Sequence, residues 1–367
     1  MKYLSHALRF LIGGLFIFSG LIKANDPLGL SYKMEEFFEL WHTLWLVPFG
    51  TTLSTGMNTL EIVAGISLWI GWRPKWTLRL LLLLILFFTA LTGYTYYTGY
   101  PKTCGCFGDC IPIDSSVSFY KDLALLIGIL LLIRKPTAIQ PIVGLRSQRS
   151  ILIAAFFASL GLQFYVLYHL PIVDCLPYRV GMNIIEQRKQ PPPPPGSTVR
   201  FVYEKNGQEV DFAADAFPSD FNATTYRFVR RYETGEIPQA PIQGLLLFTR
   251  DGSDTTEAIL SSDRLFLLFT EQLISDPAQW GTAFSDLYKQ SQDLSIPVAL
   301  ITNQPDRWNP KMMAAYPNII VLSCDRTPIR TAARVTPTLY ELEKATIRGK
   351  WALSDWSANL SFLKPRS

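Results

Sequence analysis

Five long apolar segments in the first half of the chain restrict its fold more than any other feature. They cover residues 4–22, 51–70, 76–94, 117–133 and 151–170. Each approaches the roughly 20 residues that a helix needs to cross about 30 Å of hydrocarbon. Buried helices of a soluble protein rarely follow one another in this way with almost no polar face. The sequence therefore predicts a bundle of about five transmembrane helices over residues 1–170, with the lipid bilayer around it.

The charges of the connections predict how this bundle is oriented. The first flank and two alternate loops contain only basic charges: Lys2, Arg9, Arg73, Lys75, Arg79, Arg134, Lys135, Arg146 and Arg149. The acidic residues of this half lie mostly in the other loops: Asp26, Glu35, Glu36, Glu39, Asp109 and Asp114. Because cytoplasmic loops are enriched in Lys and Arg, we expect a multi-pass protein of the bacterial inner membrane, with a cytoplasmic N-terminus and a periplasmic C-terminal domain. No small-x-small site follows the first segment, so we expect it to stay uncleaved.

The composition changes after the fifth apolar segment. Residues 171–195 are predicted to be a linker, which ends in five consecutive prolines. Such a run forms a stiff polyproline helix of roughly 15 Å and is expected to act as a spacer. Residues 196–260 are predicted to be rich in β-structure. They open with two strands on either side of Asn206-Gly207, which is a favoured dipeptide for a type I′ hairpin turn.

Strands and helices alternate in the last part of the chain, over residues 261–367. Strands are predicted there at 264–270, 297–302, 318–323, 338–342 and 347–351, and helices at 280–290, 309–315 and 329–333. A further strand is predicted at 244–248, near the end of the β-rich segment. This order implies a mixed sheet with helices on its faces. The predicted fold class is thus a membrane α-helical bundle, then a β-rich segment, then a soluble α/β domain.

Four of the five cysteines lie on one predicted side of the membrane. Cys104, Cys106 and Cys110 are in the loop after the third segment, and Cys175 follows the fifth. A Cys-x-Cys bridge closes a small, strained ring that is readily reduced, so Cys104 and Cys106 are predicted to be a labile pair that Cys110 or Cys175 resolves. Two alternatives stay open: a structural disulfide from Cys106 or Cys110 to Cys175, and a zinc site with Asp109 or Cys175 as the fourth ligand.

Ionisable residues inside or near the apolar segments are further candidates. Glu61 lies near the middle of the second segment, where a charge is costly and usually faces the bundle interior. It is predicted either to act in a proton or quinone-linked relay or to make an interhelical hydrogen bond, for instance with Asn58. Lys23 and Asp26, at the end of the first segment, are expected to form a charge pair at the interface.

The remaining candidate residues favour structural roles. Cys324 ends a predicted strand and is expected to be a buried, inert thiol. His42 and His169 are expected to be interfacial side chains, not metal ligands.

Residues 318–351 resemble the C-terminal half of a thioredoxin fold. In that family a buried strand leads to a short helix, a cis-proline loop and a β-hairpin. Here those parts would be residues 319–323, 328–334, 336–339 with Pro337 as the cis-proline, and 340–351. The family's Cys-x-x-Cys should follow the strand at 265–270, but residues 274–280 read ISDPAQW. The resemblance therefore implies a peptide-docking groove beside Pro337 without the family's redox chemistry.

The membrane half resembles the DoxX and methylamine-utilisation MauE family of redox-associated membrane proteins. The matching features are FSGLIKANDP at residues 18–27, Glu61 with Gly65, and CGCFG at residues 104–108. The resemblance covers roughly the first 135 to 170 residues and implies a redox-associated membrane bundle.

These features predict a membrane component of an exported thiol–disulfide or protein-maturation pathway. The cysteine loop would exchange disulfides through Cys104, Cys106, Cys110 and Cys175, and the soluble domain would dock an exported protein that carries thiols. The alternative is a non-enzymatic scaffold with structural cysteines, so enzyme activity is left open. No cofactor is predicted, although a quinone as electron acceptor stays open. The net charge is only +4 and no basic stripe indicates nucleic acid.

Overall fold

The computed structural model describes residues 2–101, 105–192, 194, 198–214, 216–222, 224–235, 238–271 and 280–358. Six helices form the first half of the chain: α1 (Lys2–Asn25), α2 (Pro27–Leu40), α3 (Gly50–Ile70), α4 (Pro74–Thr98), α5 (Ser115–Arg134) and α6 (Leu145–Tyr168). Short 3-10 helices at Leu44–Phe49 and Pro136–Ala138 lie between α2 and α3 and between α5 and α6.

Among the described residues, four helices are long and apolar enough to cross a membrane: α1, α4, α5 and α6. The second predicted span corresponds to α3, which has 21 residues but is not among these four helices. Its polar residues include Asn58 and Glu61, both fully buried, and α3 packs against α1, α4 and α6. The polar side chains of α3 therefore face protein inside the bundle. The sequence analysis missed α2, which packs against one end of α3.

A small antiparallel sheet follows the proline run. It contains β1 (Thr198–Lys205), β2 (Gln208–Ala213) and β3 (Arg227–Thr234), in the order β2-β1-β3. The predicted hairpin is confirmed, because β1 and β2 pair around Asn206 and Gly207. Both turn residues have positive φ, as a type I′ turn requires. The sequence did not predict β3, whose three arginines interrupt the apolar alternation.

The C-terminal part is a five-stranded mixed sheet between two helical layers. Its strands are β4 (Leu265–Thr270), β5 (Val298–Thr302), β6 (Ile319–Ser323), β7 (Thr338–Glu343) and β8 (Thr346–Ala352), in the order β6-β5-β4-β7-β8. Strands β4, β5 and β6 are parallel, and β7 and β8 add as an antiparallel hairpin. The helices around them are α7 (Ile184–Arg188), α8 (Thr256–Leu260), α9 (Gly281–Asp293), α10 (Pro310–Ala315) and α11 (Arg326–Ala332). The domain is thioredoxin-like, as predicted.

The sheet separates two apolar cores. Ile329 of α11 packs on one face with Leu267 of β4. Phe284 of α9 and Met312 of α10 pack on the other face with Phe266 of β4. Successive side chains of β4 point into opposite cores, so all of them are buried. This is why the strand appears in the sequence as a continuous apolar run.

Two segments differ from the sequence analysis. Residues 244–248 do not form a strand, because Phe248 makes only isolated bridges and the backbone N–H of Leu247 donates to the hydroxyl of Thr256 at 2.7 Å. Part of the predicted linker belongs to the thioredoxin-like domain. Tyr178 and Ile184 are buried in its core, so this segment is packed before the prolines begin.

Candidate functional site

Two glycines allow α1 and α3 to approach each other closely, so that a buried charge on α1 can pair with one on α3. A Cβ added to Gly65 would lie 2.6 Å from the carbonyl oxygen of Gly13, and one added to Gly13 would lie 2.9 Å from that of Gly65. Small residues at a helix interface let two backbones approach closely. The same contact between α1 and α3 places Lys23 opposite Glu61.

Lys23 and Glu61 form a buried ion pair inside the bundle. The Nζ of Lys23 donates to Oε1 of Glu61, and their side chains are only 2% and 1% exposed. Lys23 also lies 4.8 Å from the centroid of the Phe88 ring. The hydroxyl of Ser19 is 3.0 Å from the Oε2 of Glu61 and 2.9 Å from the carbonyl oxygen of Cys106. One hydroxyl thus connects the ion pair with the cysteine loop.

The structure corrects two expectations about these charges. Lys23 does not pair with Asp26, which instead accepts a hydrogen bond from the backbone N–H of Gly29 at 3.0 Å and caps α2. The partner of Glu61 is Lys23, whereas Asn58 donates to Gln163 at 3.0 Å. The sequence could not identify Lys23 as the partner of Glu61, or Gln163 as the partner of Asn58, because each pair joins two different helices.

A disulfide joins Cys110 to Cys175. It connects the loop after α4 with the segment after α6, and both cysteines are half-buried. This is one of the two structural pairings that the sequence left open. The bond leaves neither Cys110 nor Cys175 as a thiolate ligand, and among the described residues no group of three or more His, Cys, Asp or Glu side chains could hold a metal ion.

The other two cysteines of the loop are only partly placed. Cys104 lies outside the described residues. Cys106 is half-buried. Its neighbour Gly105 packs against α2, where a Cβ added to Gly105 would lie 3.2 Å from the Lys33 side chain. The predicted pairing of Cys104 with Cys106 stays a prediction.

The Cys110–Cys175 disulfide lines a cleft of about 740 Å³ between the bundle and the thioredoxin-like domain. Helix α2 contributes Glu35 and Glu39 to one wall, and α11 contributes Arg326 to the opposite wall. A half-buried disulfide at the surface of an open cleft is accessible to a thiol that enters the cleft.

Arg334 joins the two domains at the edge of this cleft. Its Nε lies 2.8 Å from Oδ2 of Asp26, its Nη2 donates to Asp109, and its Nη1 donates to the carbonyl oxygen of Arg330 at 2.9 Å. Burial alone would lower the pKa of Arg334, but the carboxylates of Asp26 and Asp109 raise it above its ordinary value. The guanidinium therefore stays charged, and it holds Asp109 beside Cys110.

Arg330 makes a second bridge one turn earlier in α11. Its Nη1 lies 2.6 Å from Oε2 of Glu35 on α2, and its Nε lies 2.9 Å from Oε2 of Glu271. The guanidinium carbon is 4.3 Å from the centroid of the Tyr32 ring. Burial raises the pKa of Tyr32 to about 12, although Arg334 and Arg330 oppose this shift. The phenol of Tyr32 is therefore neutral, and its ring packs against the guanidinium of Arg330.

Further polar contacts surround this interface. Asn25 at the end of α1 exchanges two hydrogen bonds with the backbone of Val173, at 2.8 and 3.0 Å. Nδ1 of His169 lies 2.6 Å from Oδ1 of Asp355, so this histidine lies at the domain interface. Together these bonds fix the thioredoxin-like domain on one end of the bundle.

The predicted cis-proline loop lies on the same side of the domain as Arg334. The Thr336–Pro337 peptide is cis, as predicted. Pro337 is buried and Thr336 is exposed, and the hydroxyl of Thr336 accepts a hydrogen bond from the N–H of Glu271 at 3.2 Å. Residues 272–279, where the family's Cys-x-x-Cys would begin, lie outside the described residues. A docking role for Pro337 stays a prediction.

Cys324 is 3% exposed at the end of β6. Burial raises the pKa of its thiol to about 12, which agrees with the expected inert thiol.

The sequence analysis missed Arg330 and Arg334 as interface residues. Each is one of the 34 Lys and Arg residues of the chain, and most of these gave no sign of their partners. Only the position of Arg334, three residues before the predicted cis-proline, offered a signal.

Comparisons with known protein families match two parts of the chain. Residues 1–135 match the family model of methylamine utilisation protein MauE. Residues 198–234, which contain the small sheet, match a domain family of unknown function, DUF8463. No curated protein is similar enough to the chain to match it.

One solved structure is similar to part of the chain. It is the crystal structure of Arabidopsis thaliana ScoI with copper bound, at 15% sequence identity. The match covers 33% of this chain and 97% of that chain, with a TM-score of 0.25. The chain is a membrane protein whose N-terminal part is similar to the MauE family, and its last part is the thioredoxin-like domain defined by the strand order β6-β5-β4-β7-β8.

Proposed function

We propose that this protein exchanges disulfides with an exported protein at the periplasmic face of a bacterial inner membrane. The observation that supports this best is the half-buried Cys110–Cys175 disulfide on the surface of the cleft. The MauE-like domain, which resembles a redox-associated family, adds support. In this proposal the orientation of the protein in the membrane rests on the basic charges of the loops at the other end of the bundle.

The chemistry of the proposed step is an ordinary thiol–disulfide exchange. A partner thiolate attacks one sulfur of the Cys110–Cys175 bond, and the other sulfur leaves as a thiolate. A second partner thiol then attacks the mixed disulfide, so that the partner leaves oxidised and Cys110 and Cys175 remain as two thiols. A disulfide between Cys104 and Cys106 would restore the bond by the same exchange.

The thioredoxin-like domain would supply the other wall of the cleft. Its α11 places Arg326 and Thr327 on the surface of the cleft opposite α2. In this proposal the domain orients the partner segment and has no need of cysteines of its own.

Trapping of the mixed disulfide tests the proposal. Cys175→Ser leaves Cys110 as a thiol whose thiolate can attack a disulfide of the oxidised partner, which is the reverse of the step above, but cannot close the original bond. In intact cells we expect a partner adduct that disappears on reduction. Cys324→Ser is the matched control, because its thiol is buried away from the cleft. Failure of both Cys175→Ser and Cys110→Ser to form any adduct would contradict the proposal.

A structural role for the disulfide is the second candidate. The ion pair between Asp109 and Arg334 favours this structural role. The disulfide fixes Cys110, and Cys110 in turn holds its neighbour Asp109 in place for Arg334. In that case Cys110→Ser together with Cys175→Ser would lower the melting temperature of the purified protein, and neither single variant would form an adduct.

A further inference from the structure

Each of the two cysteines in the disulfide directly follows an aspartate, and the thioredoxin-like domain holds both aspartates. Asp109, in the loop after α4, pairs with Arg334, which lies just after α11. Asp174, in the segment after α6, pairs with Lys350 of β8. The domain therefore binds each of the two cysteine-bearing segments at the residue next to the sulfur.

The contact at Asp174 includes the backbone around Cys175. Nζ of Lys350 lies 2.9 Å from Oδ2 of Asp174, and the Lys350 side chain is only 2% exposed. The other carboxylate oxygen of Asp174 accepts a hydrogen bond from the backbone N–H of Leu176 at 3.1 Å. Cys175 thus lies between two residues that this carboxylate joins, and the carboxylate is bound to a buried cation of the domain.

The contact at Asp109 uses a cation that has a second partner. Arg334 also pairs with Asp26 at the start of α2, so its guanidinium is held in place whether or not the loop is beside it. The Asp109 side chain is 35% exposed, whereas that of Arg334 is 4% exposed. The loop before Cys110 therefore meets a cation whose position is set by other parts of the protein.

These two ion pairs connect the position of the domain with the state of the disulfide. Two groups that are held close together react as though they were at a high concentration, and here the two groups are the thiols of the reduced protein. Because both ion pairs form only when the domain is docked, docking and closure of the bond stabilise each other. Such coupling is reciprocal, so a change that weakens these contacts makes the bond easier to reduce.

We propose that the docked thioredoxin-like domain, through Arg334 and Lys350, controls how readily the Cys110–Cys175 bond is reduced. While the domain is docked, the thiolate that an attacking thiol releases stays beside the mixed disulfide and can displace the attacker again. When a partner moves the domain away, the two segments separate. The second thiol of the partner then completes the partner's own disulfide, and Cys110 and Cys175 are left as thiols. As a regulation of the exchange, this inference rests on the proposed function.

Reduction of the full-length protein by dithiothreitol, at defined ratios of its dithiol and disulfide forms, tests this control. Every protein in the series carries Cys104→Ser and Cys106→Ser, so that no other cysteine of the loop competes. Alkylation and mass spectrometry then give the ratio at which the Cys110–Cys175 bond is half reduced.

Two variants each remove one of the ion pairs without leaving a fully buried charge alone. Asp109→Asn leaves Arg334 paired with Asp26. Lys350→Met leaves Asp174, which is 22% exposed. We expect each variant to lower the half-reduction ratio by at least about fivefold. Unchanged ratios in both variants would overturn the inference.

Two controls separate the ion pairs from general effects of substitution. Arg326→Met changes another arginine of α11 that lines the same cleft, but its partner is Glu271 of the same domain and its side chain is 52% exposed. The half-reduction ratio of this variant should stay within about twofold of the parent, because an exposed pair contributes little. Asp109→Glu keeps the carboxylate and should restore most of the change seen with Asp109→Asn. A fall in Arg326→Met as large as in Asp109→Asn would contradict the control by the aspartates.

The outcome is independent of the trapping experiment. Half-reduction ratios that fall while no partner adduct forms support control by the domain, and in that case only the proposed exchange fails. Ratios that do not change overturn the inference even where Cys175→Ser traps a partner. If Lys350→Met does not fold, the comparison of Asp109→Asn with Asp109→Glu decides alone.

Discussion

Arg334 of the thioredoxin-like domain and Asp26 of the membrane bundle form an ion pair across 308 residues of sequence, with Nε 2.8 Å from Oδ2. Both side chains are largely buried, at 4% and 10% exposed. Asp26 also caps α2, and Arg334 also holds Asp109 beside the disulfide. This single guanidinium therefore links the position of the soluble domain to the shape of the cysteine loop.

The first prediction concerns the loss of this guanidinium. Arg334→Met leaves the buried carboxylate of Asp26 without its partner, so we expect it to destabilise the protein by about 3–5 kcal/mol. Arg348→Met is the matched control, because the pair of Arg348 with Glu343 is about half exposed and should contribute at most about 1 kcal/mol. Thermal unfolding in detergent and limited proteolysis between the domains measure both. Equal melting temperatures for the two variants would show that Arg334 does not hold the interface.

The sequence predicted the features of this site that depend on local pattern. The apolar segments, the hairpin at Asn206-Gly207 and the cis-proline at Pro337 each follow from a few neighbouring residues. Helix α2 was missed because Lys33, Glu35 and nearby glutamates interrupt the helical spacing of its apolar residues.

Pairings across long separations could not be predicted in the same way. The sequence offered two partners for Cys175, and disulfide connectivity does not follow from spacing alone. Arg9 was counted as a charge of the cytoplasmic flank, but its guanidinium is buried and donates to the carbonyl oxygens of Leu68 and Gln140, both at 2.8 Å. For each charged residue the sequence contains many possible partners, and only the folded structure shows which of them lies close enough to pair.

The second prediction concerns the contact between α1 and α3. Gly65→Ala places a methyl group 2.6 Å from the carbonyl oxygen of Gly13, so the helices must separate. We expect a loss of about 1–3 kcal/mol, as for other overpacked sites. Gly56→Ala, on the same helix, meets nothing within 4 Å and should be neutral or slightly stabilising. The melting temperatures of the two variants in detergent compare them directly, and a Gly65→Ala protein as stable as Gly56→Ala would refute the close contact.

The third prediction concerns the buried pair of Lys23 and Glu61. Lys23→Met leaves a carboxylate alone in the bundle, and we expect a loss of about 3–5 kcal/mol. Adding Glu61→Gln removes that charge, so the double variant should recover much of the stability. Lys33→Met with Glu36→Gln is the control pair, because those side chains are 21% and 35% exposed and should show little coupling. A double-mutant cycle on thermal stability gives the coupling energies, and additive losses at Lys23 and Glu61 would contradict the pairing.

The fourth prediction concerns the pH dependence of Cys324. Its folded pKa is raised to about 12 from an ordinary value of 9.0 because the thiol is buried. A raised pKa means that the folded state keeps the proton more strongly than the unfolded state does. The resulting stability is complete below pH 9 and is lost as the pH rises toward 12. In the native protein, maleimide should therefore leave Cys324 unmodified at pH 8.5, whereas addition of denaturant should expose it to rapid reaction. In a variant whose other cysteines are serine, Cys324→Ala should flatten the fall in stability above pH 9. Rapid labelling of native Cys324 at pH 8.5 would show instead that the end of β6 opens to solvent.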